Sequence, residues 1–153
     1  MGGINFIDIA KLRASNIVGE RLLYKREKTK KIIIIPHQLP ALQIIKRYMT
    51  EPGTFIFPIL TSFHQTEVQI ANRLHKVLAK VNRDLKEIGK RLKLSIPLTT
   101  YVARHSFATV LKKSEVSTSI ISETLGHPSE KVTQIYLDSF DNEKINIAMK
   151  NLL

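Results

Sequence analysis

Two periods of hydrophobic spacing alternate along this chain, and the switches between them divide it into elements. Residues 4–12 (INFIDIAKL) place Ile4, Ile7, Ile9 and Leu12 at intervals that suggest a short amphipathic helix. From Asn16 to Pro36 the pattern becomes extended. Ile17-Val18, a Gly19-Glu20 turn, Arg21–Arg26 and Lys31–Pro36 predict a small antiparallel β-meander with a tight turn near Thr29-Lys30. The run Ile32–Ile35 is β-branched throughout, which favours a strand, and Pro36 ends it. Helical spacing returns at Pro40–Tyr48, with Leu42, Ile45 and Tyr48 inward. Glu51-Pro52-Gly53 breaks that helix, and Thr54–Leu60 follows as an apolar connector. The longest helix is expected from Glu67 to Leu92, with Ile70, Ala71, Leu74, Val77, Leu78, Val81, Leu85 and Ile88 near a 3.6-residue period. Its opposite face carries Arg73, Lys76, Lys80, Arg83 and Lys90. Further helices are expected at 100–112, 117–125, 130–137 and 141–151, with Gly126 the natural stop of the second. The expected fold class is mainly α with a small antiparallel β-meander.

Length and composition narrow this picture. At 153 residues and 43% hydrophobic, the chain suits one compact domain. It has no cysteine, which excludes disulfides and thiolate metal sites. Its longest apolar runs, Ile32–Pro36 and Phe55–Leu60, are too short to span a bilayer, and no signal peptide is visible at Met1, so a cytoplasmic location is expected. Charge then changes the functional outlook. Lys and Arg total 24 against 13 Asp and Glu, a net charge of +11. Such an excess points to a polyanionic partner, because each phosphate neutralised releases condensed counterions. A ribosomal-type or merely soluble basic protein is the bland alternative, and charge does not tell binding from cutting.

Four local patterns carry candidate chemistry. Thr99-Thr100-Tyr101-Val102-Ala103-Arg104-His105-Ser106-Phe107-Ala108-Thr109 is the first. Leu125-Gly126-His127 is the second, and Thr133-Gln134-Ile135-Tyr136 follows, with Tyr136 nine residues beyond His127. Upstream, Tyr24-Lys25-Arg26-Glu27-Lys28-Thr29 lies on the expected β-turn. Taken singly, each has a commoner explanation. Leu-Gly-His is usually a helix C-cap with a solvated His, Tyr136 a core aromatic, Arg104 an ion-pair partner and Lys28 a hairpin-tip lysine. Together and in this order they resemble the tyrosine recombinases of the phage and transposon integrase family, whose second box reads His-x-x-Arg-His, whose third reads Leu-Gly-His, and whose hairpin carries Lys-Thr. The resemblance covers nearly the whole chain. It implies that family's catalytic-domain fold and metal-independent cleavage and rejoining of DNA strands.

The roles that this resemblance implies suit the side chains. Tyr136 would attack the scissile phosphate and form a 3′-phosphotyrosyl link. Arg104 would fork two non-bridging oxygens, His127 would donate to the same phosphate, and Lys28 would protonate the leaving oxygen. Because the link conserves the bond energy, no metal, ATP or other cofactor is expected. His105 faces about 100° away from Arg104 on a helix and is read as structural. His37, His64 and His75 match no motif and are read as surface or loop residues, with His64 partly buried.

Two positions depart from the family pattern. Tyr101 stands where the box has its first His. It shares a helix face with Arg104, so its hydroxyl remains within reach of a phosphate or the nucleophile. In Gly3-Ile4-Asn5-Phe6-Ile7-Asp8-Ile9, Asn5 occupies the first-box arginine position while Asp8 keeps the acidic one. This resembles integrases of Bacteroidetes conjugative transposons, in which that arginine is often absent. Arg26 is the candidate replacement. If the strand stays regular, Arg26 and Lys28 point from the same sheet face; a surface arginine beside a basic turn is the alternative.

The chain begins at the first box. On the family pattern residues 1–153 are therefore expected to be a single C-terminal catalytic domain, with the N-terminal core-binding domain absent, as an expressed fragment or a natural remnant. The tail from Ser139 to Leu153 suggests an amphipathic helix that docks in the family on a neighbouring protomer, or equally in cis. The expected partners are double-stranded DNA at attachment or crossover sites, and further copies in a synaptic tetramer, with no membrane. Two rival functions remain: a catalytically degenerate DNA-binding regulator, and a type IB topoisomerase-like nicking–closing enzyme.

Overall fold

A computed structural model describes residues 2–49 and 53–138. It opens with the short helix α1 (Phe6–Lys11), which Asn5 caps by accepting from the Ile7 amide. The helix begins later than its apolar pattern suggests. Ile4 and Leu12 therefore lie outside it, both still buried, and the face that α1 itself buries is Phe6, Asp8 and Ala10, while Ile7 is exposed.

A 3-10 turn (Ala14–Asn16) leads into the meander β1 (Ile17–Val18), β2 (Arg21–Lys25) and β3 (Ile32–Pro36), an antiparallel sheet in the order β1-β2-β3. Leu22 pairs with Ile35 and Tyr24 with Ile33, and these four side chains share the buried face. The unbroken isoleucine run is thus read by the pleat as two populations. Ile33 and Ile35 are buried, while Ile32 and Ile34 face solvent. Helix α2 (Leu39–Tyr48) covers the inner face with Ala41 and Ile45. Leu42 is only half-buried, contrary to expectation, and Tyr48 lies at the surface, its ring 5.7 Å from that of Phe57.

The connector brings Ile56 into the sheet core and Leu60 into a second core, against α1 and α3 (Glu67–Arg91). Thr66 and Gln69 form a capping box at the start of α3. Most of the apolar stripe of α3 is half-buried and only Leu74 and Gly89 are buried, because α3 lies along the edge of the domain, with Ala71 and Ile88 exposed. A third core joins α4 (Thr100–Lys113), α5 (Thr118–Leu125) and the helical residues 130–138 through Ala108, Ile121, Leu125 and Leu137. The helix expected at 141–151 and the tail lie outside the described residues. Among the described residues no helix is long and apolar enough to cross a membrane.

Candidate active site

The C-terminal end of α5 is where the separate parts meet. The last carbonyls of a helix lack intrahelical donors and carry negative partial charge, so they favour cations and hydrogen-bond donors. Gly126 ends α5 in the left-handed conformation, φ 63°. A Cβ there would lie 2.7 Å from Ile33 Cδ1 and 2.8 Å from Arg26 Cδ, so the close approach of the hairpin also requires glycine. Around this stop, Arg104 Nη2 donates to Leu125 O at 2.6 Å and Arg26 Nη1 donates to Gly126 O. Thr29 Oγ1 donates to that same Gly126 oxygen at 2.9 Å, and Lys31 Nζ to His127 O at 2.6 Å. Arg104 Nη1 reaches across to Gly3 O. Both guanidiniums are buried, Arg26 at 5% and Arg104 at 6% exposure.

The hairpin tip differs from its expected geometry. β2 ends at Lys25, residues 27–29 turn, and Lys30 takes φ 58°. Arg26 N donates to Lys31 O and Lys30 N to Arg26 O, each at 2.8 Å. The strand therefore stops before Lys28, and the two side chains do not share a sheet face. Arg26 turns inward and Lys28 stays exposed at the tip. The reading of Arg26 as a surface arginine is overturned by its burial. The tip is also gripped by α1. Asp8 Oδ1 accepts from Glu27 N at 2.8 Å, and Glu27 pairs with Lys11 at 3.0 Å and Lys30 at 2.8 Å. Burial pushes the Asp8 carboxyl up, against the Glu27 hydrogen bond and the charges of Arg26 and Arg104. An open basic cleft of about 520 Å³ lies beside the tip, lined by Arg26, Lys28, Thr29, Lys31, Pro128 and Val132.

The aromatic side of the site is built by α4 and the last described helical residues. Tyr136 is half-buried, and its ring stacks on His105 at 4.1 Å with an interplanar angle of 15°. Its centroid is 5.4 Å from that of His127 and 6.4 Å from that of Tyr101. Tyr101 is 61% exposed and sets its edge on His105 at 4.0 Å. Burial raises the Tyr136 phenol well above its ordinary value, Tyr101 adds to that, and the Arg104 charge works against it. His127 is 6% exposed, with Nδ1 2.8 Å from Thr133 Oγ1. Burial, then the charges of Arg104, Arg26, Lys28 and Lys31, bring its imidazole down to about 4. Tyr136, Tyr101, Arg104, His127 and Arg26 therefore share one neighbourhood, and Lys28 stands at its rim. Asn5 does not replace an arginine; its side chain caps α1. Of the remaining histidines, His75 is exposed, and His37 and His64 are half-buried in loops. Among the described residues no group of three or more side chains is placed to hold a metal ion.

Residues 3–143 match the model of the phage integrase family. The chain belongs to that family. It is 27% identical over 152 residues to a tyrosine recombinase of Thermosipho africanus, covering 97% of this chain and 50% of that protein. It is 32% identical over 139 residues to the tyrosine recombinase XerA of Pyrococcus furiosus, covering 88% of this chain and 45% of that one. The chain thus spans about half the length of the curated relatives it matches. A crystal structure of XerA recombinase shares its fold with a TM-score of 0.64 at 20% identity, covering 96% of this chain and 54% of that one. XerH recombinase, bound to its difH substrate before cleavage, does so with a TM-score of 0.63 at 18% identity, covering 88% of this chain and 39% of that one. These matches do not extend to the narrower likeness with Bacteroidetes elements.

Several residues of this integrase-family site have no signal of their own in the sequence. Lys31 and the Gly3 carbonyl join it through hydrogen bonds between segments about 100 residues apart. Thr133 lies within the nucleophile segment but carries no spacing that links it to His127. The face of His105 toward Tyr136 depends on how residues 130–138 pack on α4, which helical periodicity alone does not fix.

Proposed function

We propose that this chain is the catalytic domain of a site-specific DNA recombinase that integrates and excises a mobile element. The observation that carries the reading is the meeting of two buried guanidiniums, His127 and Tyr136 at the end of α5, beside a basic cleft. In the proposed reaction the DNA backbone lies along that cleft. The Tyr136 oxygen attacks the scissile phosphorus, a new P–O bond forms to the tyrosine, and the bond to the 5′ oxygen breaks. The phenolic proton leaves to solvent as attack proceeds, and Lys28 gives a proton to the departing 5′ oxygen. Arg104 and Arg26 hold the non-bridging oxygens, and His127 adds a hydrogen bond, so charge that develops in the transition state meets donors already in place. Attack by a second 5′ hydroxyl on the phosphotyrosine reverses the step. The ester conserves the bond energy, so the scheme itself calls for no nucleotide or metal.

Double-stranded DNA is the proposed substrate, with self-association into a tetramer on paired sites, in the cytoplasm. A second reading, a DNA-binding regulator without catalysis, draws support from Asn5, which caps a helix where the family pattern places an arginine. A nicked suicide duplex bearing the DNA that flanks the gene separates the two. The recombinase reading expects a covalent adduct that Tyr136→Phe abolishes; binding without any adduct favours the regulator. Pairing of two specific sites then distinguishes recombination from simple nicking and closing.

A further inference from the structure

We propose that the buried hydroxyl of Thr133 donates to Nδ1 of His127 and fixes the imidazole as the tautomer whose proton sits on Nε2, which makes Thr133 a positioning residue for this site. The inference deepens the recombinase reading and takes its functional meaning from it, while its chemical content stands on the contact itself. Thr133 has no exposed surface and His127 has 6%. Their contact, at 2.8 Å, lies well inside hydrogen-bond range. Among the described residues the hydroxyl has one other acceptor, Ser129 O, at 3.5 Å, which is long for an O–H donor. The single hydroxyl proton therefore goes to the near nitrogen rather than the far carbonyl.

That choice decides what His127 can do. A neutral imidazole has one N–H, and the nitrogen that accepts from a partner leaves the proton on the other. Burial and four surrounding cations keep this ring neutral across the physiological range. With the proton on Nε2, the ring donates to a phosphate oxygen. With the proton on Nδ1, Nε2 offers a lone pair to an oxyanion, two acceptors facing each other. Thr133 lies three residues before Tyr136 on the same helical stretch, so the element that presents the nucleophile also sets the proton of its neighbour.

Nitrogen-resolved NMR of His127 in the free wild-type protein at neutral pH tests this without DNA. The expected result is a proton on Nε2 and a bare Nδ1; a proton on Nδ1 overturns the proposal. Thr133→Val keeps the side-chain shape and removes the donor. It is expected to lose the single tautomer and to slow single-turnover cleavage of the suicide duplex about 10- to 100-fold with DNA affinity unchanged. Thr133→Ser should restore both. A valine variant that keeps the wild-type tautomer overturns the proposal, and should valine fail to fold, the wild-type and serine spectra decide. If the tautomer behaves as expected but wild type forms no adduct, the recombinase reading fails and the tautomer assignment stands.

Discussion

Arg26 and Arg104 set two buried positive charges side by side, and Arg26 is one of the causes that pull the Arg104 guanidinium below its ordinary value, after burial. Asp8 supplies one carboxyl near enough to feel both charges, and backbone carbonyls take up several donors. Arg26 Nε has no partner among the described residues. A bound phosphate would neutralise the remaining charge, which is the residue-level argument for Arg26 as the stand-in for the absent first-box arginine. Arg26→Ala should therefore cut suicide-substrate cleavage by about 100-fold or more, and wild-type rates would sink the assignment. His127 gives a second residue-scale expectation. Its folded pKa of about 4 lies below the ordinary 6.5, so the unfolded chain binds a proton that the folded chain refuses. The stability this confers is complete above about pH 6.5 and is lost as pH falls toward 4. Urea titrations across that window should show a drop on the order of 2 kcal/mol that His127→Gln removes. Motif order placed both Arg104 and His127, but Arg26 was legible only as a candidate. Its burial continues the alternation of Leu22 and Tyr24, but which face of the hairpin meets the end of α5 depends on tertiary packing that local spacing does not carry.

Elements hold these residues by contacts that cross long stretches of sequence. The stop of α5 is the clearest case. Gly126 turns the chain in a conformation that costs other residues about 1–2 kcal/mol, and its missing Cβ makes room for Ile33 and Arg26. Gly126→Ala is expected to destabilise the domain by about 2–4 kcal/mol, read as a lower Tm, and to disable cleavage by displacing Arg26. A variant with wild-type Tm would show that the hairpin does not press on this turn. The glycine stop was legible in advance from its position after an apolar helix. So was the meander, because alternating burial in β2 and β3 follows from strand geometry. Helix faces were less legible. In α2 the pattern favoured Leu42, Ile45 and Tyr48; Ile45 is buried as expected, but its buried companion is Ala41, because the sheet approaches along their line. In α1 the apolar spacing ran through a helix that starts only at Phe6, and the buried Asp8 was set there by a hydrogen bond to the hairpin rather than by periodicity.

On the largest scale, the described residues form three hydrophobic cores beside one basic focus, in a chain of net charge +11. The family and the fold follow from the match over residues 3–143 and from the likeness to solved recombinases. The proposal is that this focus makes a covalent bond to DNA through one particular phenol. Of the phenols around it, Tyr24 is buried in the sheet core, while Tyr136 and Tyr101 stand with ring centroids 6.4 Å apart, and the family order names Tyr136. Digestion of the trapped DNA–protein adduct, followed by mass mapping of the nucleotide-bearing peptide, asks the question directly. A 3′-phosphate ester on Tyr136 and no adduct from Tyr136→Phe are expected. An ester on Tyr101, or no adduct from wild-type protein that binds the duplex, would contradict the proposal.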